Sequence, residues 1–270
     1  MKKKMTKGLV LALVGVLAVA CLGLAACGGS GSNSSSSSSQ KSEASYKLVQ
    51  DGTLKVATSP DYKPMEYQEG SDITGFDVAL IGEIANRMGL KADVQSQAFD
   101  TLVTQVAGGS DFDCAISSIT INDERSQTVT FTDPYYDSNL AIVVLKDSGI
   151  TSRDQLADAE VAAQSGSSGE EWAKGNLPNA KYTPFQETPD ALAALRTGKV
   201  KAVIYDEPAA ENHVANEYKD CSILEVIPTG EQYGIIVNKD NAALAEAMNE
   251  QIKAIVDDGT MDKLKKQYIG

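Results

Sequence analysis

FDTLVTQVAGGSDFDCAISS at residues 99–118 and PDALAALRTGKVKAVIYD at residues 189–206 carry one pattern twice. Each opens with apolar residues on one helical face, Leu102, Val103 and Val106 in the first and Leu192 and Leu195 in the second. A glycine follows where such a helix should stop, Gly108 or Gly109 in one and Gly198 in the other. Then comes an apolar run with the composition of a buried strand, Cys114-Ala115-Ile116 within Phe112–Ser118, and Ala202-Val203-Ile204. Both strands end on polar residues: Ser117, Ser118 and Thr120 in the first, Asp206 in the second. Open α/β sheets bind ligands at those strand ends, so the repeated unit predicts two α/β lobes facing one another across a cleft.

The flanking sequence extends this pattern. Leu54–Thr58 and Lys91–Gln95 read as strands around an amphipathic helix at Phe76–Met88, which Gly89 ends. Strands alternating with helices predict parallel sheets. Two further extended runs, Leu140–Leu145 and Tyr233–Val237, read as the crossings of a hinged two-lobed protein, and Cys221–Ile227 reads as another strand. Leu244, Met248, Ile252 and Ile255 form one helical stripe, Asp257-Asp258-Gly259 stops it, and Met261, Leu264 and Tyr268 mark a last short helix. The expected division is residues 46–140 plus 233–270 in one lobe and 141–232 in the other.

The N-terminus reads as an export signal. Lys2, Lys3, Lys4 and Lys7 precede an apolar stretch from Leu9 to Leu24, and Leu24-Ala25-Ala26-Cys27 resembles the lipobox of bacterial lipoproteins. That resemblance implies a signal peptide at 1–26, diacylation of Cys27 and an extracytoplasmic protein tethered to the bacterial membrane, at the cell surface or in the periplasm. Residues 27–45, with the serine run 34–39, have almost no apolar surface to bury and read as a linker. Removing residues 1–26 takes four lysines and no acid, leaving 20 basic against 37 acidic residues, a charge of −17 in place of −13. Such a balance argues against nucleic acid as a partner. Cys114 and Cys221 lie in separate apolar strands and read as two buried thiols, and the lone His213 offers neither a metal site nor a catalytic triad.

Leu54-Lys55-Val56-Ala57-Thr58, Pro64-Met65-Glu66-Tyr67, Gly75-Phe76-Asp77-Val78-Ala79-Leu80, Ile116 to Arg125, Phe131-Thr132-Asp133-Pro134-Tyr135-Tyr136 and Asp258 to Leu264 follow in an order that resembles the polar-amino-acid-binding lipoproteins of bacterial ABC importers, solute-binding protein family 3. The resemblance implies a two-lobed, type II periplasmic-binding-protein-like α/β fold with the ligand in the inter-lobe cleft. It also implies a monomeric binder, not an enzyme, that needs neither cofactor nor metal and delivers a free amino acid to an ABC permease.

On the same resemblance Arg125 holds the ligand's carboxylate, since a guanidinium fork matches it bidentately. Thr120 and Ser118 assist with the carboxylate and the ammonium, and Asp206 pairs with the ammonium. Ser167 and Ser168, in the loop Gln164 to Gly169 that opens a helix, offer amides and hydroxyls to the carboxylate. Tyr62 and Phe99 sandwich the ligand's side chain. Read from spacing alone, Arg125 is as well explained by pairing with Asp123 or Glu124, and Asp206 by a helix cap. Relatives of basic specificity carry an acid where this chain has Ser59, which favours a neutral ligand such as glutamine, although Glu66 and Asp61 are further sources of negative charge. Two other readings remain at this stage, a secreted cyclohexadienyl dehydratase-like enzyme on the same fold and a sensor ectodomain acting with a separate membrane partner.

Overall fold

The first amides of a helix have no partner within it, and how one helix solves this pins the first half of the molecule. In the computed structural model, which describes residues 46–270, strand β1 (Thr53–Thr58) is followed by a small antiparallel sheet of β2 (Asp61–Tyr62), β3 (Glu66–Glu69) and β4 (Asp72–Thr74). Helix α1 (Phe76–Arg87) then starts against that sheet: the Phe76 and Asp77 amides donate to the Pro64 and Met65 carbonyls at 3.1 and 2.8 Å. Gly75 makes the approach possible. Its φ is 123°, and a Cβ there would collide with the Met65 carbonyl oxygen. Phe76, Leu80, Ile81, Ile84 and Ala85 form the buried face of α1, the 3.6-residue stripe expected from sequence.

Onward from α1 come β5 (Lys91–Ser96), α2 (Leu102–Gly108), β6 (Cys114–Ala115), the one-turn α3 (Asp123–Ser126) and β7 (Val129–Phe131). The chain then enters a second sheet through β8 (Tyr136–Leu145), β9 (Glu160–Gln164), α4 (Ser168–Asn176), β10 (Lys181–Phe185), α5 (Thr188–Arg196), β11 (Ala202–Asp206), α6 (Glu207–Asn216) and β12 (Cys221–Tyr233). It returns through β13 (Ile236–Asn238) and finishes with α7 (Ala242–Asp257) and α8 (Thr260–Tyr268). The five-stranded sheets have orders β5-β1-β6-β13-β7 and β10-β9-β11-β8-β12. The two repeated sequence units supply β6 and β11, the middle strand of each sheet, and both preceding helices end at a left-handed glycine, Gly109 and Gly198.

The sheets are mixed rather than parallel throughout. β1 runs parallel to β5 and β6, and β9 to β10 and β11, but β13 is antiparallel to β6 and β7, and β8 is antiparallel to β11 and β12. The antiparallel strands are the ones that follow a passage between sheets, where no crossover helix forces a parallel return. The run expected as a crossing at Leu140–Leu145 is the second half of β8 and lies wholly in the second sheet. Tyr136-Asp137-Ser138-Asn139 is too polar to read as a strand, yet Tyr136, Asp137 and Ser138 pair with Tyr233, Gln232 and Glu231. The passages between sheets therefore lie at residues 132–135 and 234–235, on either side of this pairing. β6 is shorter than its apolar run: Ile116 still donates to the Ala57 carbonyl at 3.2 Å, and Ser117 and Ser118 beyond it turn to line a cavity.

Cys114 and Cys221 are buried free thiols in different sheets. His213 is buried against Tyr205 and Tyr218, and burial holds its imidazole down at about 4. No described helix is long and apolar enough to cross a membrane. The signal peptide at 1–26, Cys27 and the linker to residue 45 lie outside the described residues.

Replacing Gly75 by Ala should cost on the order of 1–3 kcal/mol, since the new side chain meets both an unfavourable φ and a backbone carbonyl. Gly82→Ala, in the same helix but facing open space, should instead gain roughly 0.5–1 kcal/mol. Urea unfolding of the two variants beside the parent would measure both, and an unchanged midpoint for Gly75→Ala would mean that the turn relaxes freely.

Candidate functional site

Where the ends of β1 and β6 face those of β9 and β11, the structure gathers all eight sequence-predicted site residues around one cavity. Tyr62, Phe99, Ser118, Thr120 and Arg125 line one wall, and Ser167, Ser168 and Asp206 the other. The cavity is ≈ 20 Å³, room for about one water, because the walls touch. The Tyr62 hydroxyl accepts from the Asp206 amide at 2.8 Å, Arg125 Nη2 donates to the Gly166 carbonyl at 2.9 Å, and Thr120 Oγ1 lies 3.4 Å from Ser168 Oγ. Outside the cavity Lys63 and Glu217 pair at 2.6 Å, and Asp61 accepts from the Thr188 amide at 2.8 Å and from Gln164 at 3.2 Å.

The first wall is built on a strained turn. Ser118 has φ 49°, in the left-handed region, and is held there by Asp77 of α1, whose Oδ2 accepts from the Ser118 amide at 2.8 Å and from the Tyr135 hydroxyl at 2.7 Å. Past that turn Asn122 caps α3 by accepting from the Arg125 amide at 2.8 Å. The cap turns the Arg125 side chain back toward Thr120, whose carbonyl takes Nη1 at 2.7 Å. Arg125 pairs with neither Asp123 nor Glu124, the surface alternative its spacing allowed. Its guanidinium has two of its five N–H groups committed to carbonyls, and burial lowers its pKa. Phe99 packs on it, with the guanidinium carbon 5.6 Å from the ring centroid.

On the second wall Ser167 is the N-cap of α4. Its hydroxyl donates to the Gln164 carbonyl at 2.7 Å and accepts from the Glu170 amide at 3.1 Å, so it is spent on the helix. The amides of Ser168 and Gly169, in the first turn, have no intrahelical acceptor and carry the positive end of the helix dipole. Gly169 lets that turn press on β11, since a Cβ there would stand 2.5 Å from the Ile204 carbonyl oxygen. Asp206 occupies the N-cap position of α6 but makes no side-chain cap bond. Its carboxylate accepts instead from the Tyr233 hydroxyl at 2.7 Å.

The electrostatics are lopsided. Burial, with Glu231 nearby, pushes Asp206 up to about 7 against the pull of Tyr233, Tyr62 and Arg125. Burial also raises Glu231, which accepts from Ser168 Oγ at 3.1 Å and Thr120 Oγ1 at 3.3 Å. Asp61 is pushed to about 6, first by burial. Glu66, on the cavity wall, is 1 % exposed and well above the carboxylate range, through burial and then Asp77. One guanidinium therefore faces several acids.

Sequence reasoning placed Glu66 and Asp61 only as spare negative charge and Gln164 only as the start of a loop, and it gave Glu231 and Tyr233 no place in the site. Glu66 lines the cavity, whereas Asp61 is turned to the opposite half. Glu231 and Tyr233 sit in the second half of β12, beyond the register shift at Ile227, where no apolar alternation marks a strand. Tyr62 contributes its hydroxyl as well as its ring, a role that an aromatic position does not disclose.

Residues 54–270 match the family described as bacterial extracellular solute-binding proteins, family 3. Among curated relatives, the chain is 33 % identical over 258 residues to the arginine-binding extracellular protein ArtP of Bacillus subtilis, covering 94 % of this chain and 96 % of that one. Among solved structures, an ancestral arginine-binding protein bound to arginine superposes with TM-score 0.77 at 33 % identity, covering 81 % of this chain and 99 % of that one. An ancestral amino acid-binding protein, a precursor of cyclohexadienyl dehydratase, gives TM-score 0.76 at 31 % identity over 81 % of this chain and 96 % of that one. The fold is thus that of the two-lobed, type II binding proteins, and with the family matched from the first strand to the last residue, the chain belongs to the bacterial extracellular solute-binding proteins of family 3.

Proposed function

We propose that this protein is the extracytoplasmic receptor of an ABC importer and that it captures an amino acid with a cationic side chain, of the arginine and lysine class. The observation that carries the reading is the placement of Arg125 and Asp206 on opposite walls of one cavity, with the acid Glu66 also on its wall. A zwitterion with a cationic side chain brings one negative and two positive groups, and the cavity offers the complement. The α-carboxylate goes to Arg125, the Thr120 hydroxyl and the first-turn amides of α4. The α-ammonium goes to Asp206 with Ser118 in support, and the side chain runs between Tyr62 and Phe99 toward Glu66. The names of the arginine-binding relatives agree with this choice. It departs from the neutral ligand favoured by Ser59, since Glu66 supplies an acid from β3.

Binding and release need no covalent step, and we read the chain as a binder rather than an enzyme, acting as a monomer. The moving bodies are the residues around the first sheet and residues 136–233 around the second, with the swivel beside the Tyr136–Tyr233 pair. A ligand that touches both walls contacts the closed form more than the open form, and that difference is what shifts the equilibrium. The cavity of ≈ 20 Å³ admits an amino acid only after the walls part. Cys27 carries the lipid anchor in this reading, and residues 28–45 are the tether that lets the receptor reach its permease.

Titration calorimetry of the purified protein with arginine, lysine, histidine and glutamine tests the ligand class; glutamine binding with arginine and lysine silent would refute it. Arg125→Lys should lose most of the affinity while the fold persists, because truncating one partner of a buried charge pair costs about 2–5 kcal/mol. An unchanged Kd would remove Arg125 from the site.

Asp206→Asn should weaken binding by a similar order for the free amino acid and far less for its N-acetyl form, which has no ammonium to offset. Equal losses for the two ligands would mean that Asp206 does not read the ammonium.

For the anchor, Cys27→Ser should move the protein from the detergent phase to the aqueous phase in fractionation, since two acyl chains hold stably where none can. Full membrane retention of the variant would point to the apolar segment itself as the anchor.

A further inference from the structure

Glu66 and Asp77 make an acid pair with more acceptors than donors. Glu66, on β3, takes the Ser117 hydroxyl on Oε1 at 3.0 Å and the Ser118 hydroxyl on Oε2 at 3.2 Å. Asp77, fully buried on α1, takes the Ser118 amide and the Tyr135 hydroxyl on Oδ2. Its Oδ1 is buried and receives no N–H or hydroxyl donor among the described residues. Ser118 brings the two acids together, giving its hydroxyl to Glu66 and its amide to Asp77, and the Asp77 charge raises Glu66. Ionised carboxylates only accept hydrogen bonds, and two of them buried on one serine repel each other, so one proton on the pair relieves the repulsion. The ionisable groups that face the pair from β2 and from the loop after β7 are Asp61, Tyr62 and Tyr135, none of them a cation.

The donors decide which partner carries the proton. Asp77 receives an amide fixed by the backbone and a buried phenol, both of which favour its anion. Glu66 receives only serine hydroxyls, and although Ser117 Oγ also accepts from the Ser59 amide at 3.0 Å, the Ser118 hydroxyl can rotate to accept as well as donate. We propose that Glu66 holds a proton against Asp77 in the unliganded protein, and that a ligand with a cationic side chain displaces this proton as it binds, whereas a neutral ligand leaves it in place. Burial and the Asp77 charge raise Glu66 well above the carboxylate range, and burial brings Asp77 to about 6, in keeping with one shared proton near neutral pH.

The exchange balances. The Glu66 O–H bond breaks, its proton leaves to the solvent buffer, and the guanidinium or ammonium of the ligand takes its place beside the new carboxylate. The cavity thus keeps the same charge with a cationic ligand as with none. A neutral amide side chain would meet a carboxylic acid instead, which both donates and accepts. Specificity between the two classes is then set by pH at a residue that lines the cavity, a conclusion that rests on the reading of this cleft as an amino-acid site.

Calorimetry of the full-length protein with L-arginine and L-glutamine at pH 7, each in phosphate and in Tris, gives the protons released from the dependence of enthalpy on buffer. Any proton lost from Asp206 to the common α-ammonium appears with both ligands, so the difference between them reports the acid pair. Arginine should release about one proton more than glutamine, and the ratio of their affinities should then climb by up to about tenfold per pH unit between pH 6 and 8, rising with pH because the competing proton becomes scarcer. Glu66→Gln should bring the two proton counts together. Equal counts in the parent with both ligands bound would overturn the exchange and leave the cleft assignment standing. Silence toward arginine with glutamine bound would overturn both the cationic reading and the exchange, and silence toward both ligands would remove the site on which they rest.

Discussion

One buried carboxylate ties together the parts on which the rest depends. Asp77 stands in the first turn of α1 and reaches the Ser118 amide and the Tyr135 hydroxyl, so a helix, the turn that follows β6 and the approach to the second sheet share a single anchor. Ser118 sits in a conformation that a residue with a Cβ rarely adopts, and a strained turn persists only where its surroundings hold it. Asp77 does the holding from behind, while the Met65 carbonyl and Gly75 fix the helix start that aims it. Release of that anchor would leave a buried acid without donors and let the turn relax, with Thr120 and Arg125 moving along with it.

The second wall solves a similar problem differently. Its residues are positioned by a helix start and a strand end, with Gly169 letting α4 lie directly on β11. Backbone amides at the start of α4 are left without intrahelical acceptors there, and the Tyr233 hydroxyl of β12 donates to the carboxylate of Asp206. β8 and β12 pair along most of their length, so the second sheet has its most continuous ladder beside the passages between sheets. The two short passages beside that ladder are where the proposed swivel would act.

Much of this was legible in the sequence because the elements are local. Helical stripes such as Leu80 to Ile84 and Leu244 to Ile255, the glycines at helix ends and the strands that follow them all declare themselves within a dozen residues. The eight candidate residues that line the cavity were named through their motifs, since Arg125 or Asp206 taken by spacing alone would equally suit a surface pair or a helix cap. What stayed hidden depends on contacts between distant segments. The polar start of β8 is a strand only because β12 lies beside it, and that the Ser167 hydroxyl caps α4 shows only once the helix is in view. Glu66 and Asp77 are eleven positions apart on different elements, and nothing local announces that one serine holds both.

Asp61 adds one consequence of its own. It reaches across to the amide of Thr188, the first residue of α5, so a helix in one half is finished by an acid from the other. In the proposed opening that helix end would lose its partner and the acid would be left to water. The balance between open and closed forms thus includes the completion of a helix, and apparent affinity scales with the fraction of molecules in the competent form. A substitution at Asp61, which lies outside the cavity lining, could retune how tightly this receptor holds its cargo without altering a single atom that the cargo touches.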